Sequence, residues 1–409
     1  MRMMRRISIF LSVVILFTSA CAQTYCADTG ESGILFNDEG EILCPMGMYD
    51  DILPVADGIF AAKTEEGWLL LDDEGEQLSD IVYEDVYEDG GFLLLKKDGL
   101  YALADLQLAL RCDHAYTQIV SNGEGSFLAL KTEPNDDRGD GVYLLDENGN
   151  ETTVGTILLY GLNEFSCGRS VAVGSGGKRT GYIAPDGTWA INAQYGYGAQ
   201  FVSDGLTVAS VDSGVGLIDV NGNWIVSPKF ECIALTQDNP VAAICTSDGR
   251  IGLFDVQERK GIIEVPERGG YVRTNGLKGF ALVTVNGIAA LYGRDGSVLN
   301  SWEESTGATV CMLGETNILL YMNGEEYLLD LSAQTLAGPY ERIALLEENL
   351  FAAQKPDGCD LLDAQGHVLV ETEYDRIDPA GGGFFLACRG EQKMLVDRTG
   401  TLIANLNGD

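Results

Sequence analysis

Apolar residues along the chain fall in short runs broken by Gly, Asp and Asn, and the best-formed example is Gly216–Phe230. There an apolar run ending at Ile218 enters Asp219-Val220-Asn221-Gly222, and a second run, Trp224-Ile225-Val226, leaves it. Asp at the first position of a turn and Gly at the fourth mark a type I turn whose Asp side chain caps its own backbone. With β-biased runs on both sides, the unit predicts a tight hairpin. The hairpin recurs at Asn37, Asp72, Asp105, Asp146, Ala184, Asp255, Gly293, Asp330, Asp363 and Asp397, at a mean spacing of about 36 residues. The glycine three residues on is kept as Gly40, Gly75, Gly149, Gly187, Gly222, Gly296, Gly366 and Gly400. Leu108, Glu258 and Ala333 replace it elsewhere, which predicts another turn geometry at those three places.

Two further features share this period. An aromatic followed at the third residue by Ile or Val comes 10 to 12 residues after the anchor, as in Tyr49/Ile52, Tyr83/Val86, Tyr116/Ile119, Phe230/Ile233, Tyr340/Ile343 and Tyr374/Ile377. Later in each repeat stands a continuous apolar run such as Phe92–Leu95, the pattern of a strand covered on both faces. Each repeat thus holds about four strand-sized pieces, and no window after the leader carries a 3.6-residue apolar stripe. Repeats of this size bury their apolar faces only by stacking. The fold class expected is all-β, with about ten antiparallel repeats of about 36 residues in a propeller-like arrangement. Ten repeats exceed the usual blade number of one ring, so a wide ring, two smaller rings and an open superhelical array all remain open.

The pattern resembles the bacterial WG-repeat family, most clearly across Gly181–Tyr195 and Gly216–Phe230. Gly181 and Gly216 stand where the family glycine does, and Trp189 and Trp224 occupy the strand after the turn. Pro228 and Phe230 echo the family's Pro-x-Tyr segment. The Trp before the glycine is Thr180, Val215 or Ile251 here, and Gly67-Trp68 reverses the order. The resemblance runs from about Gly33 to Ala404. It implies a β-rich repeat scaffold and brings no catalytic residues and no cofactor. Trp189 and Trp224 hold the same slot in adjacent repeats, so they are expected as core residues, each packed between its own repeat and the next.

The first 22 residues read differently. Three arginines precede the eleven-residue apolar core Ile7–Phe17, which is followed by Thr18-Ser19-Ala20. Such a stretch is a secretory signal and is too short to span a bilayer comfortably. Ser19-Ala20-Cys21 resembles the end of a lipoprotein signal, with Cys21 as the lipidation candidate. Ala20-Cys21-Ala22 fits ordinary cleavage before Gln23 equally well. Either route predicts a protein working outside the cytoplasm, as a cell-envelope lipoprotein or a secreted protein. Residues 23–32 are a short polar lead-in, and residues 33–409 form one array without a linker. Asn135–Gly141, which contains Arg138-Gly139-Asp140, reads as a surface loop.

Net charge is −36. So acidic a surface repels nucleic acid and anionic lipid, leaving a protein or a glycan at the cell surface as expected partners and membrane contact only through a lipid anchor. The ten cysteines contain no Cys-x-x-Cys pair, so metal-ribbon and thioredoxin readings lack their spacing. They are expected mostly as buried free thiols, with Cys232, Cys245 and Cys388 at core positions. The two histidines, His114 and His367, have no partner motif and are expected at the surface. Asp72/Asp73/Glu74 and Asp136/Asp137/Asp140 offer oxygen ligands but not the spacing of a calcium loop. No nucleophile-elbow, zincin or phosphate-loop motif occurs. The function expected is a non-catalytic binding or scaffold module, its ligand unspecified. The alternatives are a carboxylate-based glycan-processing enzyme on a propeller and a purely structural envelope component.

Overall fold

A computed structural model describes residues 23–132, 140–154, 162–174 and 178–407. Residues 1–22 with Cys21, the Arg138-Gly139 pair and most of the loop around it lie outside the described residues. The described chain is folded into eleven antiparallel sheets, and its one helical turn is a short 3-10 segment at Glu304–Thr306. Blade 6 shows the plan. Its strands Tyr197–Gly198, Leu206–Val211, Gly214–Asp219 and Trp224–Phe230 pair strictly in sequence order. Among the described residues eight blades carry four strands, and blades 1, 2 and 5 carry three (residues 24–49, 51–71 and 170–195).

Eleven separate apolar clusters hold the sheets together, and each joins two neighbouring blades. One binds Leu217 and Val226 of blade 6 to Ile244 and Phe254 of blade 7; another binds Val241 and Leu253 of blade 7 to Ala281 and Val283 of blade 8. The decisive cluster is between the ends of the chain. Ala27, Ile34 and Phe36 of blade 1 pack against Ala380, Leu386, Leu395 and Leu406 of blade 11. Phe36 meets Phe384 edge to face at 5.8 Å, and Lys393 reaches Glu31 at 2.9 Å. An open array of eleven units has ten interfaces; this protein has eleven, so it is one closed ring, a β-propeller. The repeats are therefore eleven rather than ten, and of the three arrangements left open by the sequence the wide ring is the one adopted.

Continuous apolar runs are second strands clamped between neighbours: Leu93, Leu94 and Leu95 are all buried, and the alternate residues serve different clusters. The aromatic-x-x-Ile signature belongs to no single blade. Tyr49 ends the outer strand of blade 1 and Ile52 lies in the first strand of blade 2, and Tyr116/Ile119, Phe230/Ile233 and Tyr340/Ile343 span boundaries in the same way. The residue after the aromatic donates its N–H to the second strand of the following blade. Asp50 bonds Lys63, Glu84 bonds Lys96, Glu231 bonds Cys245, Glu341 bonds Gln354 and Asp375 bonds Cys388, all at 2.8–2.9 Å.

The Asp-x-x-Gly turn is built as expected and then repeated. Asp219 Oδ1 accepts the N–H groups of Asn221 and Asn223, both at 2.9 Å, while the Gly222 N–H reaches the Asp219 carbonyl. Gly222 has φ of 83°. Two of the three turns without glycine depart from the expectation. Leu108 and Ala333 adopt φ of 62° and 60° and make the same closing bond to Asp105 and Asp330. The Asp carboxylate's two bonds hold the turn tightly enough to impose a left-handed conformation on a residue with a Cβ. Only the Asp255 turn differs: it is longer, with Arg259 at φ of 53°. Where the anchor is Ala184 or Gly293, the capping carboxylate moves two residues on, to Asp186 and Asp295, which accept from Thr188 and Ser297.

Candidate binding face

A meander of four strands sorts its turns onto the two faces of the ring. The Asp-x-x-Gly turns and the turns between first and second strands share one face. Blade-to-blade connectors and the turns between second and third strands share the other. Asp72, Gly75, Asp146, Gly149, Gly187, Asp219, Gly222, Asp363, Gly366, Asp397 and Gly400 thus all lie on the turn face, one set to a blade. Their carboxylates are committed to backbone N–H groups rather than to a ligand. In Asp146, hydrogen bonds from Asn150 hold the carboxyl below its ordinary range. In Asp397, burial works the other way, but bonds from Thr399 and Thr401 outweigh it and the shift is again downward.

The turn glycines do a second thing. A Cβ on Gly149 would stand 1.9 Å from the Arg111 carbonyl oxygen, one on Gly187 2.6 Å from Val154, and one on Gly366 2.9 Å from the Leu336 backbone. Each neighbour belongs to the outer-strand region of the preceding blade. Gly40 of blade 1 makes the same approach to Ile403 of blade 11, 2.6 Å from its side chain.

Trp189 and Trp224 are half-buried and equivalent, but they face backward along the chain rather than forward. Trp189 packs against the cluster shared by blades 4 and 5, and Trp224 against the one shared by blades 5 and 6. The Trp224 ring meets Tyr195 edge to face at 5.8 Å. The indole lies on the sheet face toward the preceding blade because its position pairs with Ile218, which lies on that face too.

His114 is not a plain surface residue. It stacks on Tyr83 at 6.4 Å, its Nε2 is buried without a partner, and burial lowers its pKa. His367 is exposed, with Nδ1 at 3.1 Å from Asp363. The nine described cysteines are all free, and only Cys44 and Cys359 are buried; Cys245 and Cys388 are half-buried, while Cys167 and Cys232 are exposed. Asp72 spends its Oδ1 on the Glu74 and Glu76 N–H groups. Among the described residues no group of three His, Cys, Asp or Glu is arranged to hold a metal ion.

The connector face carries what the sequence did not reveal. Asp50, Glu84, Glu231, Glu341 and Asp375 are all exposed at the same structural position, the residue that hands the chain from one blade to the next. Glu84 and Asp375 also cap the following blade's turn, through the N–H groups of Gly99 and Gly390. On the same face an open depression of about 510 Å³ lies at the edge of blade 8 beside the connector that leaves it, lined by Gly287, Ile288, Glu303, Glu304 and Ser305. The signal for the acids was present as the residue after five of the six repeat aromatics, with Thr117 after Tyr116 the exception. A carboxylate in a single repeat has no meaning until the fold places several of them on one face.

By its fold the chain is an eleven-bladed β-propeller repeat protein. The family described as WG containing repeat matches residues 216–243, from the third strand of blade 6 into the second strand of blade 7. The sequence unit and the blade are therefore half a blade out of step. No curated protein matches the chain. Among solved structures it is similar to a crystal structure of the eukaryotic initiation factor, at 10% identity and a TM-score of 0.45, over 86% of this chain and 96% of that one. It is also similar to BamB from Moraxella catarrhalis, at 10% identity and a TM-score of 0.30, over 69% and 94% of the two chains. A computationally designed protein, Ika8, matches at 10% identity and a TM-score of 0.30, over 76% and 93%.

Proposed function

We propose that the protein is a non-catalytic binding or scaffold ring working outside the cytoplasm, and that it engages a cationic protein segment through its connector face. The reading rests on one observation: five of the eleven connectors present an exposed carboxylate at the same backbone position, all on one face of the ring. Repeated weak contacts of that kind suit an extended partner, because each further contact is made within an already formed complex. Like-charged surface of this density also speeds encounter with an oppositely charged partner and makes binding sensitive to salt. Export by the leader, with lipid on Cys21 as the anchor, completes the proposal, and the intact mass of the membrane-fraction protein tests that part.

The binding test compares two variants of equal charge. One carries Asp50→Asn, Glu84→Gln, Glu231→Gln, Glu341→Gln and Asp375→Asn; the amides keep an acceptor for the turns that Glu84 and Asp375 cap. The other neutralises five exposed acids of the turn face, Asp38, Glu39, Asp73, Glu74 and Glu147. Binding to an immobilised basic polypeptide should fall at least about tenfold in the first set and little in the second, a difference worth about 1.4 kcal/mol. Equal losses in the two sets would mean that net charge alone drives binding, and the connector face would lose its role. Binding of cell-wall glycan but not of the basic polypeptide would move the partner to a sugar.

A further inference from the structure

The first rung between the first and second strands is filled by a pair of facing side chains in blade after blade. Asp51 faces Lys63, Asp85 faces Lys96, Thr309 faces Tyr321 and Arg342 faces Gln354. In blade 7 the same rung is Cys232 facing Cys245. Directly opposed residues of an antiparallel pair project to the same face of the sheet, with Cβ atoms about 4.5–5.5 Å apart. A disulfide requires about 3.5–4.5 Å, so a small tightening of the rung closes the gap. The rung can tighten because it is the first of the hairpin, next to the connector Glu231, beyond which the ladder ends. Among the described residues no other two cysteines face one another across a ladder. Cys26 and Cys44, for example, flank Leu35 from opposite sides.

We propose that Cys232 and Cys245 are a cross-strand dithiol that closes to a disulfide by exchange with a small-molecule or protein disulfide. Cys232 is the exposed member and Cys245 is half-buried, so Cys232 meets the incoming disulfide. Its thiolate attacks one sulfur of the donor, the donor's S–S bond breaks, and the first donor thiol leaves. The Cys245 thiolate then attacks Cys232 Sγ, expelling the second donor thiol. Two protein thiols are oxidised, the donor disulfide is reduced to two thiols, and the two protons lost by the cysteines are taken up by those thiols. The thiol of Cys245 is pushed up to about 12 by burial and by the neighbouring Cys232. Capture of Cys232 in the mixed disulfide removes that neighbour's contribution and leaves burial to oppose ionisation of Cys245 in the second step. The product ties the innermost strand of blade 7 to its partner at the connector face.

The test treats the reduced full-length chain with glutathione disulfide, blocks remaining thiols with iodoacetamide under native conditions, and maps the peptides by mass. The expected result is a linked pair of peptides containing Cys232 and Cys245, lighter by two hydrogens than the reduced pair and restored by dithiothreitol. Cys167, exposed with no cysteine opposite, reports that the oxidant is active by taking up one glutathione. Cys245→Ser should leave a stable glutathione adduct on Cys232. A stable glutathione adduct on Cys232 in the parent protein, with Cys245 still free, overturns the proposal. So does full alkylation of both thiols while Cys167 has reacted. Because the wild-type peptide map decides alone, a variant that fails to fold does not blur the outcome.

Discussion

At the residue scale, the repeat depends on a backbone conformation and on a close approach, and different glycines need them to different degrees. Gly149 and Gly400 have nearly the same φ, 78° and 76°. A Cβ on Gly400 would meet nothing closer than 3.5 Å, whereas one on Gly149 would overlap the Arg111 carbonyl. Forcing a residue with a Cβ into the left-handed region costs about 1–2 kcal/mol. Gly400→Ala should lose about that much in chemical denaturation. Gly149→Ala should lose clearly more, because the blade 3 backbone must also move. Leu108 and Ala333 show that the turn itself survives without glycine where the preceding blade leaves room. The turn aspartates make a second prediction at this scale. Hydrogen bonds keep Asp146, Asp330, Asp363 and Asp397 ionised at lower pH than in the unfolded chain. The unfolded state then binds more protons in acid, so the stability they confer is full above about pH 4 and is lost as pH falls below it. Thermal melts should drop as pH falls below about 4; a melt insensitive to pH in that acid range would refute the assignment.

At the scale of the element, the third and fourth strands of blade 6 are fitted together by a glycine and a tryptophan. Gly216 lies under the Trp224 ring and close to the Val226 carbonyl, where a Cβ would come within 2.3 Å. Here a gap in one strand is filled by the large ring of the next. Complete burial and truncation of a Trp costs about 3–5 kcal/mol. Trp224 is half-buried, so Trp224→Ala should cost less than about 3 kcal/mol. Because the indole packs on Tyr195, hydrogen exchange should rise first in Trp189–Tyr195 of blade 5 rather than in blade 7. Unchanged exchange in blade 5 would show the indole to be a surface ring, available for a ligand. The eroded turn at Asp255 illustrates a different solution. Arg294 of blade 8 donates two hydrogen bonds to Asp255, at 2.6 and 2.9 Å, and holds its carboxyl below the usual range. The hairpin that lost its glycine is thus tied to the next blade by charge.

For the whole molecule, closure rests on packing between blades 1 and 11, without a strand exchanged between them among the described residues. Phe36 is fully buried at that seam, between Tyr25 and Phe384. Phe36→Ala should cost about 3–5 kcal/mol and free both ends of the array at once. Proteolysis should then start in Thr24–Asp28 and Leu402–Asn405 together, and small-angle scattering should report a larger radius. Phe351→Ala, equally buried but at an interface other than the seam, should lose similar stability with cleavage confined to blades 9 and 10, whose shared cluster it occupies. If the two variants behave alike, the seam is no different from any other interface.

The chain's alternation of apolar runs and Asp-x-x-Gly turns determined the strands, the hairpins, the all-β class and the period, because a hairpin's turn chemistry is local and each repeat carries its own. The blade boundary was not legible: the matched unit at residues 216–243 straddles two blades, since hydrophobic pattern reports that a strand is covered but not which neighbour covers it. Burial of the cysteines and the direction of Trp189 and Trp224 were misjudged for that same reason. The alignment of Asp50, Glu84, Glu231, Glu341 and Asp375, and the meeting of Cys232 with Cys245, depend on strand register and on the position of each connector in the ring. Closure was decided only by tertiary structure. Small rotations between successive blades add up over eleven interfaces, and whether the last face meets the first depends on packing at every one of them, which no single repeat encodes.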